Sequence, residues 1–138
     1  MKLAIIGSRG LWVEDMGAYL PPGVTELVSG GAKGIDTCAR EYALSHGLKL
    51  TEFLPDYRRY GRAAPLVRNR EIVAYADQVL AFWDGKSPGT KYVIDQCKKQ
   101  KKTVTVHLLC SPRKRGNDGN LSHAHRQPAA AVFAHLHP

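Results

Sequence analysis

The chain has 138 residues, 43% of them hydrophobic and 23% charged, which fits one soluble globular domain with a sizeable core. Its formal charge of +8 favours anionic partners, a preference that nucleotides, nucleic acids and acidic metabolites all satisfy. No apolar run nears the roughly 20 residues that span a bilayer, and MKLAIIGSRG lacks the parts of a signal peptide, so a cytoplasmic protein without a membrane partner is expected.

Leu3-Ala4-Ile5-Ile6-Gly7 is a continuous apolar run ending in glycine, as expected of a parallel strand buried on both faces. The pattern then predicts a helix from Leu11 to Leu20, closed by Pro21-Pro22-Gly23, and a second strand over Thr25 to Ser29. Ile35 to His46 spaces apolar residues at helical intervals, with Gly47 as its stop. Leu48 to Leu54 reads as a third strand, followed by a polar, arginine-rich connection from Pro55 to Pro65 and a helix from about Leu66 to Tyr75. Gln78 to Trp83 is a fourth strand, Gly89 to Lys99 a helix and Thr103 to Leu109 a fifth strand. This alternation predicts a Rossmann-like α/β fold: a doubly wound, mainly parallel five-stranded sheet with helices on both faces.

In such sheets ligands bind beyond the carboxyl ends of the strands, where the strand order reverses. The segments in that position are Gly7-Ser8-Arg9-Gly10, Ser29 to Asp36, Pro55 to Arg62, and Asp84 to Thr90. Each combines glycines or small residues with hydroxyls and cations, while the strand interiors stay apolar. Val28-Ser29-Gly30-Gly31-Ala32-Lys33-Gly34-Ile35-Asp36 is the most pointed of them, a strand passing through glycines into a helix, which aims backbone N–H groups outward at a helix N-terminus. It is neither a Walker loop, which needs Gly-Lys-Ser or Gly-Lys-Thr, nor a G-x-G-x-x-G fingerprint. A simple tight turn is the competing reading.

Gly7-Ser8-Arg9, Ser29 to Asp36, Tyr60-Gly61-Arg62-Ala63-Ala64-Pro65 with Arg68-Asn69-Arg70, and Asp84-Gly85-Lys86-Ser87-Pro88-Gly89-Thr90 together resemble the SLOG superfamily over residues 1–109. Within it the chain looks most like small stand-alone bacterial and phage proteins of largely unassigned function. The resemblance implies a Rossmann-like domain that binds a nucleotide or nucleotide-derived ligand, possessing no cofactor of its own and working as a homodimer. Gly7, Ser8, Arg9, Ser29, Gly30, Gly31, Lys33, Gly34, Asp36, Arg68, Asn69, Asp84, Gly85, Ser87, Gly89 and Thr90 are the expected ligand-binding residues. Arg9 and Arg68 suit bidentate phosphate contacts, or structural ion pairs; Asn69 suits a base or ribose hydroxyl, or a helix cap. For Asp36, Ser87 and Thr90 the competing role is stabilisation of a helix start.

Two alternatives follow from the same resemblance. The LOG phosphoribohydrolases cleave the N-glycosidic bond of nucleoside monophosphates and carry P-G-G-x-G-T-x-x-E. Here Gly89-Thr90 is retained but Val93 stands at the glutamate position, which leaves Asp84 as the catalytic candidate if the chain is a hydrolase. DNA-processing protein A binds single-stranded DNA, and Arg68-Asn69-Arg70 matches its motif; Asp56-Tyr57-Arg58-Arg59-Tyr60-Gly61-Arg62 interleaves cations with aromatics as a stacking surface would. That protein's additional domains have no counterpart here.

Cys38, Cys97 and Cys110 are odd in number and lack C-x-x-C spacing, so buried free thiols are expected rather than disulfides or a zinc site. Residues 110–138 form a polar tail expected to be flexible, holding Arg113-Lys114-Arg115 and two H-x-H pairs, His123/His125 and His135/His137. Without helical or finger spacing, these histidines make no metal site.

Overall fold

The computed structural model describes residues 1–109. The expectations that fall on Cys110, the Arg113 cluster, the H-x-H pairs and the rest of the tail lie outside the described residues. Five strands, β1 (Lys2–Gly7), β2 (Glu26–Ser29), β3 (Lys49–Glu52), β4 (Gln78–Trp83) and β5 (Thr103–Leu108), form one sheet in the order β3-β2-β1-β4-β5. Every neighbouring pair is parallel, with Ala4 opposite both Val28 and Val79. The α/β Rossmann-like fold is therefore the one the sequence predicts.

Strand alternation sends successive side chains to opposite faces and so builds two cores. Leu3, Ile5, Leu27, Leu80 and Phe82 point to one face and pack against Ile35, Cys38, Ala39 and Ala43 of α1 (Ile35–Ser45). Ala4, Ile6, Val28, Val79 and Ala81 point to the other, where Ile72 and Val73 of α3 (Ala64–Tyr75) meet Val93, Ile94 and Cys97 of α4 (Pro88–Lys99). Each fully buried Leu, Ile, Val or Phe in these layers contributes roughly 1.5–3 kcal/mol. Cys38 and Cys97 are buried free thiols, and burial pushes the Cys97 thiol up to about 12.

The helix predicted from Leu11 to Leu20 is replaced by an irregular segment ending in a single 3-10 turn, Met16–Tyr19. Leu11, Val13 and Met16 are buried while Trp12, Glu14 and Asp15 are exposed, a pattern that follows neither strand alternation nor a helical period and leaves no continuous helical face. Gly17 also weakens a helix, and a Cβ there would come within 2.9 Å of the Tyr42 hydroxyl. The connection predicted from Pro55 to Pro65 holds a short helix, α2 (Tyr57–Tyr60), with Asp56 accepting from the Arg59 N–H, and a 3-10 turn, Gly61–Ala63. Helix α3 starts two residues earlier than expected, with Pro65 in its first turn, where a missing N–H is harmless. β3 is shorter than predicted, four residues instead of seven. No described helix is long and apolar enough to cross a membrane.

Candidate functional site

The order β3-β2-β1-β4-β5 reverses between β1 and β4, so the loops after these two strands flank the switch point. The backbone continues their pairing one step further, with the Ser8 N–H donating to the Phe82 carbonyl at 3.0 Å. Ser8 is buried, its Oγ accepts from the Asp84 N–H at 3.3 Å and lies 3.5 Å from Thr90 Oγ1. One hydroxyl thus ties the end of β1 to the loop after β4 and to the first turn of α4.

That loop is held by Asp84. Its Oδ1 accepts from the N–H groups of Lys86 and Ser87, both at 2.8 Å, and its Oδ2 accepts from Ser87 Oγ at 3.1 Å. Burial alone would raise its pKa, but the hydrogen bonds from Ser87, Lys86 and Ser8 together outweigh it and hold the carboxyl below its ordinary value. Trp83 Nε1 adds a bond to the Ser87 carbonyl at 3.1 Å. Gly85 takes a positive φ in this turn, and Gly89, with Cβ space open, presents its backbone in the first turn of α4. Ser87 is the N-cap residue but makes no side-chain cap, because its hydroxyl serves Asp84.

On the other side of β1 lies the glycine turn after β2. Gly34, the N-cap of α1, has φ 73° and ψ −120°, a conformation essentially reserved for glycine. A Cβ there would also lie 2.5 Å from the Arg9 carbonyl oxygen, so the absence of a side chain is what seats the start of α1 against the loop after β1. Gly7 serves the same junction, since a Cβ on it would overlap the Ile35 side chain. Asp36, in the first turn of α1, accepts from the Ala32 N–H at 2.9 Å and so folds the turn back over the helix start. Burial pushes its carboxyl up despite that bond, the Gly30 backbone and the attraction of Arg68.

Arg68 brings the third element in. It projects from the middle of α3 and donates from Nη1 to the carbonyl of Gly30 at 2.8 Å and of Phe53 at 3.4 Å, and from Nε to Asn69 Oδ1 at 2.8 Å. Gly30 has no room for a side chain, because a Cβ would lie 2.5 Å from Arg68 Nη1. Nη2 has no protein partner among the described residues. Burial pushes the Arg68 pKa down; Asp36 and Tyr57 oppose this and Arg9 adds to it. Arg9 and Lys33 are exposed. Asn69 lies within α3, so it orients Arg68 rather than capping the helix.

Beside Arg68 a cleft of ≈ 220 Å³ opens between Leu54, Arg59, Tyr60, Val67 and Glu71. Leu54 also covers Gly31, whose φ is positive, so the cleft adjoins the glycine turn. Tyr57, Arg58, Arg59, Tyr60 and Arg62 are exposed on α2 and the turn after it. Phe53, Leu54 and Glu71 were not legible as site residues: an apolar strand end and a helical glutamate carry no motif, and only the path of α3 sets them next to Arg68.

The carboxylate expected of a phosphoribohydrolase has no counterpart at Val93, which is buried in the α4 core. No group of three or more His, Cys, Asp or Glu suited to a metal occurs among the described residues. The model of the YspA, cpYpsA-related SLOG family matches residues 18–60, a span that holds β2, the glycine turn, α1, β3 and α2. No curated protein and no solved structure matches the chain. Over this segment, whose glycines and Asp36 shape the carboxyl edge, the chain is similar to that SLOG family.

Proposed function

We propose that this Rossmann-like module binds a nucleotide or nucleotide-derived anion along the carboxyl edge of its sheet and acts as a sensor rather than a catalyst. The observation that carries this reading is Arg68: a half-buried guanidinium, fixed at Nη1 and Nε, with Nη2 unclaimed among the described residues and the Gly30 turn beside it. A guanidinium preorganised in this way loses little entropy on meeting phosphate, and Arg9 supplies a second cation. The cleft between Leu54 and Tyr60 is mostly polar, and its Tyr60 ring offers a base a stacking surface beside Arg68.

Binding without turnover is favoured because the candidate carboxylate, Asp84, is not free to act. Asp84 spends both oxygens on its own loop and is held ionised, which suits neither a general acid nor a free base. A calorimetric titration with nucleoside monophosphates, dinucleotides and ADP-ribose, followed by an assay for released base, tests this reading. Binding with no release is expected; release of base would restore the hydrolase. The exposed Tyr57-to-Arg62 segment supports single-stranded DNA as the alternative ligand, and its signature would be affinity falling steeply with salt. The homodimer implied by the superfamily is tested by sedimentation velocity at two protein concentrations.

A further inference from the structure

Away from the carboxyl edge, a cavity of ≈ 360 Å³ lies between the segment after β1 and α1. Val13, Met16 and Cys38 form its apolar floor, and Trp12, itself 49% exposed, stands at its wall. The opposite wall is fixed in place. The Tyr42 and His46 rings stack at 3.9 Å, His46 Nδ1 lies 3.1 Å from both the Tyr42 carbonyl and Ser45 Oγ, and Gly17 leaves just enough room for the Tyr42 hydroxyl.

The charge of this cavity runs against the rest of the molecule. In a chain of net charge +8, no lysine or arginine lines it, and its carboxylates are Glu14 and Glu41. Neither has a salt-bridge partner among the described residues. Both act on one point, since after burial, and against the Val13 N–H, their negative charges push the buried Cys38 thiol up. A hollow lined by a tryptophan, a tyrosine and two carboxylates has the chemistry that recognises an organic cation.

We propose that this cavity binds a small alkylammonium or guanidinium compound, at a site separate from the anion-binding edge. Its volume suits a compact ligand, and the apolar floor suits an alkyl stem whose charged ends reach Glu14 and Glu41 while one of them lies over Trp12. The site is independent of the nucleotide reading, because none of its lining residues is among those assigned to the anion-binding edge.

The test is calorimetric titration of the full chain with agmatine and spermidine, with neutral 1,4-butanediol as the control. Saturable one-to-one binding of either cation, no heat from the diol, and a loss of about tenfold or more in Trp12→Ala and in Glu41→Gln are expected. Trp12 and Glu41 are exposed, so both variants should keep the wild-type melting temperature, and Asp95→Asn, which alters a carboxylate remote from the cavity, should bind as wild type. Absence of saturable binding, or equal weakening by Asp95→Asn, would overturn the proposal. Full retention of affinity in Trp12→Ala and Glu41→Gln would do so too.

Discussion

Arg68 combines a structural and a binding role in one side chain, and the two separate by substitution. Arg68→Lys keeps a cation but loses the planar fork that bridges Gly30, Phe53 and Asn69. It should lower stability by about 1.5–3 kcal/mol in urea unfolding, the scale of a charge-assisted hydrogen bond left unmade. Asp36 behaves oppositely. Its folded-state pKa is raised, chiefly by burial, so its contribution to folding is fully present below the ordinary value of 3.8 and is lost as pH rises through the raised value. Asp36→Asn keeps an acceptor for the Ala32 N–H without the buried charge, so at pH 7 its melting temperature should hold or rise and that part of the pH dependence should vanish. A marked drop at pH 7 would show that the carboxylate's charge stabilises the turn.

At the scale of elements, the edge is shaped by how two helices begin. Gly34→Ala forces a side chain into a glycine conformation against the Arg9 and Leu11 carbonyls and should cost at least about 1–3 kcal/mol. Gly89→Ala has open space around it and should leave the melting temperature unchanged or slightly higher. If the ligand approaches the backbone at α4, that same variant loses affinity without losing stability, which separates binding from folding at one position. Asp84→Ala removes the acceptor of two loop N–H groups and should destabilise by about 0.5–2 kcal/mol, as loss of a cap does. Because the Asp84 pKa is lowered, its contribution is present above 3.8 and fades as pH falls through the folded value, so the difference between Asp84→Ala and wild type should shrink in acid. A difference that persists unchanged at low pH would remove Asp84 as the group that braces this loop.

Across the whole molecule, much of the architecture was legible because buried parallel strands write themselves as short apolar runs bounded by glycine. All five strands and the helices Ile35–Ser45 and Pro88–Lys99 are where that pattern points, with ends shifted by a few residues. The segment from Leu11 to Leu20 was not legible, because its buried Leu11, Val13 and Met16 answer to the α1 face rather than to a helical period. The loops of the site could be named from the rule that ligands gather beyond strand ends. Their internal economy could not: that Asp84 is committed to its own turn, that Asn69 orients Arg68, and that Leu54 covers Gly31 are all contacts made by chain crossing.

The central claim is that an anion, a nucleotide or its derivative, binds where Arg68 meets the Gly30 turn. Calorimetric titration of wild type and Arg68→Ala with the nucleotide panel tests it most directly, with the melting temperature of each protein recorded alongside. Saturable binding of at least one nucleotide to wild type and a loss of about tenfold or more in a folded Arg68→Ala are expected. Wild type that binds no member of the panel, or Arg68→Ala that binds as tightly as wild type, would contradict it.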